Sequence, residues 1–180
     1  MVGAVPGGMN PQQAIVARAG ALLRRSGSDA AGCRADAAKL EEIRAAAEQA
    51  QVNVELVAPT VGGIQDSDGS RVPADQKIDG GPSVLDDAVV VLASKQGVPM
   101  LAALPAARDF IADAYAHCKF IGYAGDPAPL FEAAGLSGQI DDGFADLGRS
   151  SAAGFIARCA ELRFWPRQAS ITEKVTAARG

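Results

Sequence analysis

The chain has 180 residues, 48% of them hydrophobic and only 5% aromatic, which predicts one domain with an aliphatic core. Its net charge is −4 and it has no basic run, which argues against nucleic acid or an anionic membrane surface as the main partner. No apolar run approaches the roughly 20 residues of a membrane span. Residues 1–11 lack the charged start and apolar centre of a signal peptide, so we expect a cytoplasmic protein.

The N-terminal third is predicted to hold a leader, a helix and one or two strands. Residues 1–18 begin with a Gly- and Pro-rich stretch and are predicted to be a flexible leader or linker. Ala19–Leu23 would serve as a first strand, although a helix beginning at Ile15 fits equally well. Ala35–Gln51 is the clearest amphipathic helix, with apolar residues at helical spacing. Val52–Ala58 is predicted to be a strand.

A hairpin and a polar connection follow. Val61–Gln65 and Ser70–Pro73 flank Asp66-Ser67-Asp68-Gly69, which carries the Asp-Gly signal of a tight turn. The two aspartates also suggest a calcium loop, but the later acidic ligands and the final glutamate are missing, so a plain turn is favoured. Ala74–Pro82 is predicted to be a polar connection. Asp86-Asp87 is predicted to be a solvated turn before the next strand.

Strands then alternate with helices, which predicts an α/β three-layer sandwich with a mainly parallel sheet. Val84–Ala93 contains a near-continuous apolar run typical of a central parallel strand. The remaining predicted elements are a helix over Met100–Ala116, a strand over Phe120–Tyr123, a helix from Pro127 to Ala134, a strand over Ile140–Phe144, a helix over Ala152–Leu162 and a tail over Phe164–Gly180.

The turn at Gly125 and Asp126 is the first candidate site. A strand that turns sharply into a helix at the carboxyl edge of a parallel sheet is where α/β folds place a nucleophile. Gly125 stands at the tip of this turn and has no side chain that could attack a substrate. Asp126 is predicted to be the N-cap of a helix with Pro127 in its first turn. We expect a positive φ at Gly125, a conformation that glycine adopts cheaply.

Three cysteines and one histidine are the other candidates. The cysteines are odd in number and widely spaced, which favours free thiols in a reducing compartment over a disulfide or metal set. Cys118 and Cys159 lie in apolar contexts and are predicted to be core residues. Cys33 is the thiol expected to be exposed. Neighbours on a helix point about 100° apart, so His117 and Cys118 are interpreted as a helix-end histidine beside a core thiol, not as a catalytic pair.

Five strings of the sequence are recognisable: Val54–Pro59, Arg71–Asp75, Lys77–Leu85, Asp87–Val91 and His117–Lys119. They resemble the C-terminal flavodoxin-like domain of large-subunit, hydroperoxidase II-type catalases, which is itself similar to the class I glutamine amidotransferase and PfpI-like superfamily. The resemblance covers roughly residues 19–166 and leaves residues 167–180 as a tail. It implies a flavodoxin-like sheet.

The resemblance also implies what the candidate turn has lost. Active members of the superfamily carry a cysteine at this turn, usually followed by histidine, where this sequence has Gly125 and Asp126. The catalase domains tend to have glycine followed by an acidic residue there. Two features depart from the catalase pattern, namely Asp86, where an aromatic residue is usual, and the loop Arg24–Asp29. The implied site is therefore a vestigial elbow at Gly125 and Asp126, with no catalytic, cofactor-binding or metal-binding residue in this chain.

The implied parent enzyme disproportionates hydrogen peroxide at a haem, in defence against oxidative stress. Such a haem needs a proximal ligand and a distal histidine, and the single histidine falls in the accessory domain. We therefore predict a non-catalytic domain that contacts the catalase core and the sister subunits of a homotetramer, with a structural, stabilising or chaperone-like role towards unfolded clients. One alternative is a stand-alone PfpI-like hydrolase or deglycase that uses a thiol outside the elbow. Another is a nucleotide-binding module, but Arg24–Asp29 has only one glycine for a phosphate loop.

Overall fold

The computed structural model describes residues 30–59, 62, 64–65, 71–80, 83, 86–95 and 97–177. Helices and strands alternate through most of these ranges, as expected of an α/β protein. In chain order the elements are α1 (Ala30–Gln49), β1 (Val57–Ala58), β2 (Ile64–Gln65), β3 (Arg71–Val72), β4 (Gln76–Lys77), β5 (Ala88–Leu92), α2 (Gly97–Ala103), α3 (Pro105–Ala116), β6 (Phe120–Ala124), α4 (Ala128–Ala133), β7 (Phe144–Asp146), α5 (Ala152–Cys159) and α6 (Arg167–Ala177).

A parallel sheet of three strands, in the order β5-β6-β7, forms the centre of the described structure. Every residue of β5 is buried, and so is every residue of β6 except the half-buried Tyr123. Burial on both faces explains why these strands are near-continuous apolar runs. The predicted parallel pairing of the Val89 and Phe120 strands is confirmed. β1 and β4 form a second parallel pair, and β2 and β3 form the predicted antiparallel hairpin.

Helices cover both faces of the sheet. Successive side chains of a strand point to opposite faces, so Val90 packs in one apolar cluster and Val89 in the other. The first cluster contains residues of α1 and α5, and the second contains residues of α2, α3 and α4. The predicted three-layer sandwich is therefore confirmed. None of the helices in the described ranges has both the length and the apolar character needed to cross a bilayer.

The helix predicted over Met100–Ala116 is two helices. α2 ends at Ala103 and α3 begins at Pro105. Proline has no N–H to donate within a helix, and its ring favours an extended residue before it. Leu104 accordingly has φ −88° and ψ 114°. The prediction was wrong here because the apolar periodicity of the segment continues across a residue that must start a new helix.

Several predicted boundaries also need correction. The strand predicted over Val52–Ala58 is only the two residues of β1, because its partner β4 is equally short. β4 itself lies in Ala74–Pro82, which was predicted to be a polar connection. The strand predicted over Ile140–Phe144 begins only at Phe144 and is β7. The residues before it stay outside the sheet, because Asp141 pairs with the side chain of Arg167 and Ile140 is 52% exposed.

The helices differ from the predictions mainly at their ends. α1 begins five residues before the predicted Ala35 and ends at Gln49, which leaves Ala50 exposed rather than facing the core. α5 ends at Cys159, three residues before the predicted Leu162. The region predicted to be a tail contains α6. The proposed strand Ala19–Leu23, residues 1–18, the Asp66–Gly69 turn and the Cys33 side chain lie outside the described residues, and the domain limits at 18 and 166 remain predictions.

The prediction of a solvated turn at Asp86-Asp87 was wrong for Asp86, which is only 2% exposed. The fully buried Lys119 explains this, because its ammonium group donates hydrogen bonds to the backbone carbonyl oxygens of Ser83 and Asp86. A buried ammonium needs such acceptors to replace its lost water. Asp87 is half-buried, and its carboxylate lies 3.5 Å from the guanidinium of Arg163.

A second buried cation, Arg167, fixes the start of α6 to the sheet. Its side chain is fully buried and makes a bidentate ion pair with Asp141, with N–O distances of 2.7 and 2.8 Å. A third hydrogen bond, of 2.7 Å, goes to the carbonyl oxygen of Lys119, directly before β6. The guanidinium also stacks over the rings of Tyr115 and Phe144, 4.6 and 5.1 Å from their centroids. Arg167 is thus satisfied by both charge and aromatic contacts.

We expect Gly143→Ala to destabilise the domain by about 2 kcal/mol or more, since it inserts a methyl group into a filled space. The new Cβ would lie 2.8 Å from a ring carbon of Phe164 and closer still to the guanidinium of Arg167. Urea unfolding of both proteins measures the change. Gly80→Ala is the matched control, because its Cβ meets nothing nearer than 3.6 Å and should change the free energy of unfolding by less than about 0.5 kcal/mol. Equal effects of the two substitutions would contradict this account.

Candidate functional site

Gly125 follows the last residue of β6 at the carboxyl edge of the sheet. Its φ is +84°, which confirms the predicted left-handed backbone. A Cβ at this position would lie 3.3 Å from the carbonyl oxygen of Ala93, just beyond the end of β5. The turn therefore requires glycine for its conformation, and its close approach to the next strand leaves little room for a larger residue. That this turn is the remnant of a catalytic elbow stays a prediction.

The helix after the turn begins one residue later than predicted. Pro127 occupies the N-cap position and α4 begins at Ala128. Asp126 is exposed, and its carboxylate accepts a 3.2 Å hydrogen bond from the Ala128 N–H. The aspartate thus caps the helix from one position before the N-cap. The other end of α4 is Ala133, one residue before the predicted Ala134, and Gly135 follows with φ +77°.

An open pocket of about 430 Å³ lies beside this turn. Tyr123 and Phe131 form part of its lining, with their rings edge to face and 5.8 Å between centroids. The carboxylates of Asp126, Glu132 and Asp146 belong to the same lining. Neither a cysteine nor a histidine is among the described residues that line the pocket, so these residues offer no thiolate or imidazole for nucleophilic catalysis.

The two described thiols lie away from this pocket and are confirmed as core residues. Cys118 and Cys159 are each 2% exposed. Burial raises the pKa of both, and that of Cys159 reaches about 12. Cys118 precedes β6 whereas Gly125 follows it, so the length of the strand, roughly 16 Å, separates them. Because the thiolate is the nucleophilic form, neither cysteine is poised for attack at neutral pH.

His117 is confirmed as a helix-end residue. It is the C-cap of α3 and is exposed, and its backbone N–H donates to carbonyl oxygens of the preceding turn. The described residues do not fit a haem. The single histidine is exposed at the end of α3. Of the two tyrosines, the residue type that ligates haem iron in catalases, Tyr115 has its ring packed against Arg167 and Phe144, and Tyr123 packs edge to face on Phe131 in a pocket lined by three carboxylates. Within the described ranges no group of three potential ligands is placed to hold a metal ion.

The family of the chain follows from comparison with known proteins. The model of the C-terminal domain found in long catalases matches residues 30–169. The chain belongs to this family. Catalase C of Rhizobium meliloti (strain 1021) is 49% identical over 141 residues, and Catalase HPII of Pseudomonas putida is 31% identical over 84 residues. The predicted relationship to the large catalases is therefore confirmed.

The region that matches this chain is a small part of each of those relatives. The matched regions cover 78% of this chain but 20% of Catalase C, and 47% of this chain but 12% of Catalase HPII. A solved structure of a two-domain protein from Anabaena variabilis ATCC 29413, with DJ-1/ThiJ/PfpI-like and ferritin-like domains, superimposes with a TM-score of 0.51. That similarity covers 67% of this chain and 32% of the other at 14% identity, so it supports the α/β fold alone.

Sequence reasoning missed the buried cations Lys119 and Arg167. Lysine and arginine are rarely buried without a partner, so their burial was not expected from sequence. The partner of Arg167 is Asp141, 26 residues earlier, and no local pattern links the two. The one usable signal was Phe164 and Trp165, three and two residues before Arg167, since two consecutive aromatic residues are unusual in a chain so poor in them.

We expect Gly125→Cys to create a thiol that is alkylated on the order of a hundredfold faster than Cys118 or Cys159, because Gly125 is exposed and those thiols are buried with raised pKa values. The substitution should also cost about 1 kcal/mol or more of stability, owing to the positive φ. Iodoacetamide labelling followed by mass spectrometry of peptides measures the rates. Gly138→Cys, also exposed with positive φ, is the control. If the thiol of Gly125→Cys were alkylated as slowly as Cys118 and Cys159, the conclusion that the turn is accessible would be wrong.

Proposed function

We propose that the chain is a non-catalytic, stabilising domain of a long haem catalase, whose parent reaction is the disproportionation of hydrogen peroxide. The observation that carries the proposal is the glycine at the tip of the carboxyl-edge turn, in a family found at the C-terminus of long catalases. A related enzyme would place its nucleophile at this tip. Gly125 provides only backbone, and its crowded contact with Ala93 disfavours a replacement.

The rival proposal of a PfpI-like hydrolase or deglycase has less support. It requires a thiol outside the elbow, and burial keeps the two thiols of the described residues, Cys118 and Cys159, protonated at neutral pH. It also requires a base, but the exposed His117 stands at the end of α3, beyond the amino edge of the sheet. In the proposed role the haem belongs to the catalase body, and this domain supplies contacts rather than chemistry.

The proposed partners are the catalase core and sister subunits of a homotetramer in the cytoplasm. The interior of the domain is well organised for such a passive role, because Lys119 and Arg167 join its loops to the central sheet. Holding of unfolded clients is a finer part of the same proposal. Exposed large apolar side chains favour it, namely Met100, Ile140, Leu162 and Trp165. Such residues can contact a partner protein or an unfolded chain.

We expect the purified chain to retain no haem and to release no oxygen from hydrogen peroxide above a boiled control. The physical reason is that a haem iron needs a protein ligand, whereas the single histidine is an exposed helix-end residue and Tyr115 packs against Arg167 and Phe144. Absorbance in the Soret region after gel filtration and an oxygen electrode provide the two measurements. A Soret band that travels with the protein, together with oxygen release, would show that the domain is an enzyme in its own right.

The stabilising role is tested in a chimera of Catalase C in which residues 30–169 of this chain replace the matching C-terminal region. We expect Gly143→Ala to shorten the half-life of the chimera at elevated temperature severalfold, because the weakened domain unfolds first. Peroxide turnover and haem content at room temperature should be unchanged. Gly80→Ala in the same chimera is the control. An unchanged half-life with Gly143→Ala would refute a stabilising role, and lost turnover at room temperature would indicate a direct catalytic one.

A further inference from the structure

A groove crosses the surface of the domain between α4 and α6. The pocket beside Gly125 adjoins a second open pocket of about 530 Å³, since both are lined by Ser137, Gly138 and Ile140. The second pocket continues to Ser170 and Glu173 on α6. We call the two pockets together the α4–α6 groove. The loop after α4 lines both pockets, so a ligand that occupies both must extend across this loop.

The midpoint of the α4–α6 groove is apolar and firmly held. Ile140 lines both pockets and is 52% exposed. The loop that carries it is fixed on one side by the buried Leu136, whose carbonyl oxygen accepts a 3.1 Å hydrogen bond from the Gln139 N–H. On the other side it is fixed by the bidentate ion pair of Asp141 with Arg167. An exposed aliphatic side chain on a rigid loop is a pre-organised contact for another apolar group.

The charge of the groove is negative. Asp126, Glu132 and Asp146 line one pocket and Asp141 and Glu173 line the other, and among the described residues that line the two pockets there is no lysine or arginine. Arg149 lies 3.4 Å from the carboxylate of Asp146 but is 90% exposed, so it is free to turn into solvent. Arg167 is buried and already paired with Asp141, which lines the second pocket. Carboxylates at both ends of an apolar centre attract a ligand with a cation on each side of an aliphatic group.

A buried acceptor adds an independent reason to expect a hydrogen-bond donor. The side-chain Oε1 of Gln139, in the wall of the second pocket, is buried and has no hydrogen-bond partner among the described residues. An amide oxygen left in this state is destabilising, and a donor on a ligand would restore the missing hydrogen bond. Backbone N–H groups, guanidinium and ammonium groups are all suitable donors.

We propose that the α4–α6 groove binds an extended, basic polypeptide segment, with Ile140 against an aliphatic side chain and lysine or arginine side chains towards the carboxylates at its two ends. The segment belongs to the catalase body that accompanies this domain in the long catalases, so the inference rests on the proposed function. In Catalase C the matched region is 20% of the length, which leaves a large neighbouring polypeptide to supply such a segment. In this proposal the domain contacts the catalase body beside the turn at Gly125, at the carboxyl edge of the sheet.

The probes are short overlapping synthetic peptides that cover Catalase C outside the matched region, together with peptides of the same composition in scrambled order. Fluorescence anisotropy with the full chain measures binding. We expect a few peptides to bind, each with lysine or arginine on both sides of an aliphatic residue, and their affinity should fall as salt is raised. Amide chemical-shift changes should centre on Ser137–Ile140. Binding by acidic peptides, by scrambled peptides equally well, or by no peptide would overturn the proposal.

Two variants test the groove directly. The double substitution Glu132→Gln and Glu173→Gln removes one exposed charge at each end without changing shape, and we expect about tenfold weaker binding with a smaller salt dependence. Ile140→Ser should weaken binding by a similar factor, about tenfold, without changing the salt dependence. The control is Glu48→Gln with Glu161→Gln, two exposed glutamates on or next to the helices of the opposite face. If the control weakens binding as much as the groove variants, the groove is not the site.

The outcomes distinguish this inference from the function on which it rests. If no peptide binds but Gly143→Ala shortens the half-life of the chimera, the groove proposal is refuted and the stabilising role stands. Peptide binding at Ser137–Ile140 without any effect of the domain on the half-life of the chimera refutes the stabilising role instead. The two results come from separate measurements, because peptide binding uses the chain with Gly143 intact and the half-life uses the Gly143→Ala chimera.

Discussion

The buried guanidinium of Arg167 is the interaction on which the rest of the domain depends. It joins the start of α6, the loop before β7 and the residue before β6 through its bonds to Asp141 and Lys119. Removing one partner of a buried pair typically costs about 3–5 kcal/mol, and less where one partner reaches solvent, as the 28% exposed side chain of Asp141 does. Gly143 belongs to the same arrangement, because only a residue without a side chain leaves room for the guanidinium.

The two edges of the central sheet therefore differ in character. At the amino edge, Lys119 and Arg167 are satisfied by carbonyl oxygens, a carboxylate and aromatic rings. At the carboxyl edge, Gly125 and Asp126 form an exposed turn beside an acidic pocket. Ligands of open α/β sheets bind at this edge, so Gly125 and Asp126 lie where such folds usually place a site. A surface of this kind can bind another polypeptide without catalysing a reaction.

The sequence predicted the central sheet well and the polar interior poorly. Apolar runs such as Val89–Leu92 can be recognised because a strand buried on both faces does not alternate apolar with polar residues. The positive φ of Gly125 could be predicted because glycine stands in a strand–turn–helix pattern. Short pairings such as β1 with β4 could not be predicted, since two residues carry no periodicity. Lys119 and Asp86 were missed because an ammonium group finds its acceptors on distant backbone, which side-chain patterns do not encode.

The order of the central strands has a consequence for how the domain folds and where it unfolds first. β5, β6 and β7 are neighbours both in the sheet and along the chain, so each pairing closes a loop of modest length through one or two helices. Loop-closure entropy is then small at every step, and the segment from Ala88 to Cys159 can assemble progressively as one cooperative unit. The two-residue pairs β1–β4 and β2–β3 have few hydrogen bonds to hold them. Local unfolding, and with it the exchange of backbone amide protons, should begin in those pairs and reach β6 last.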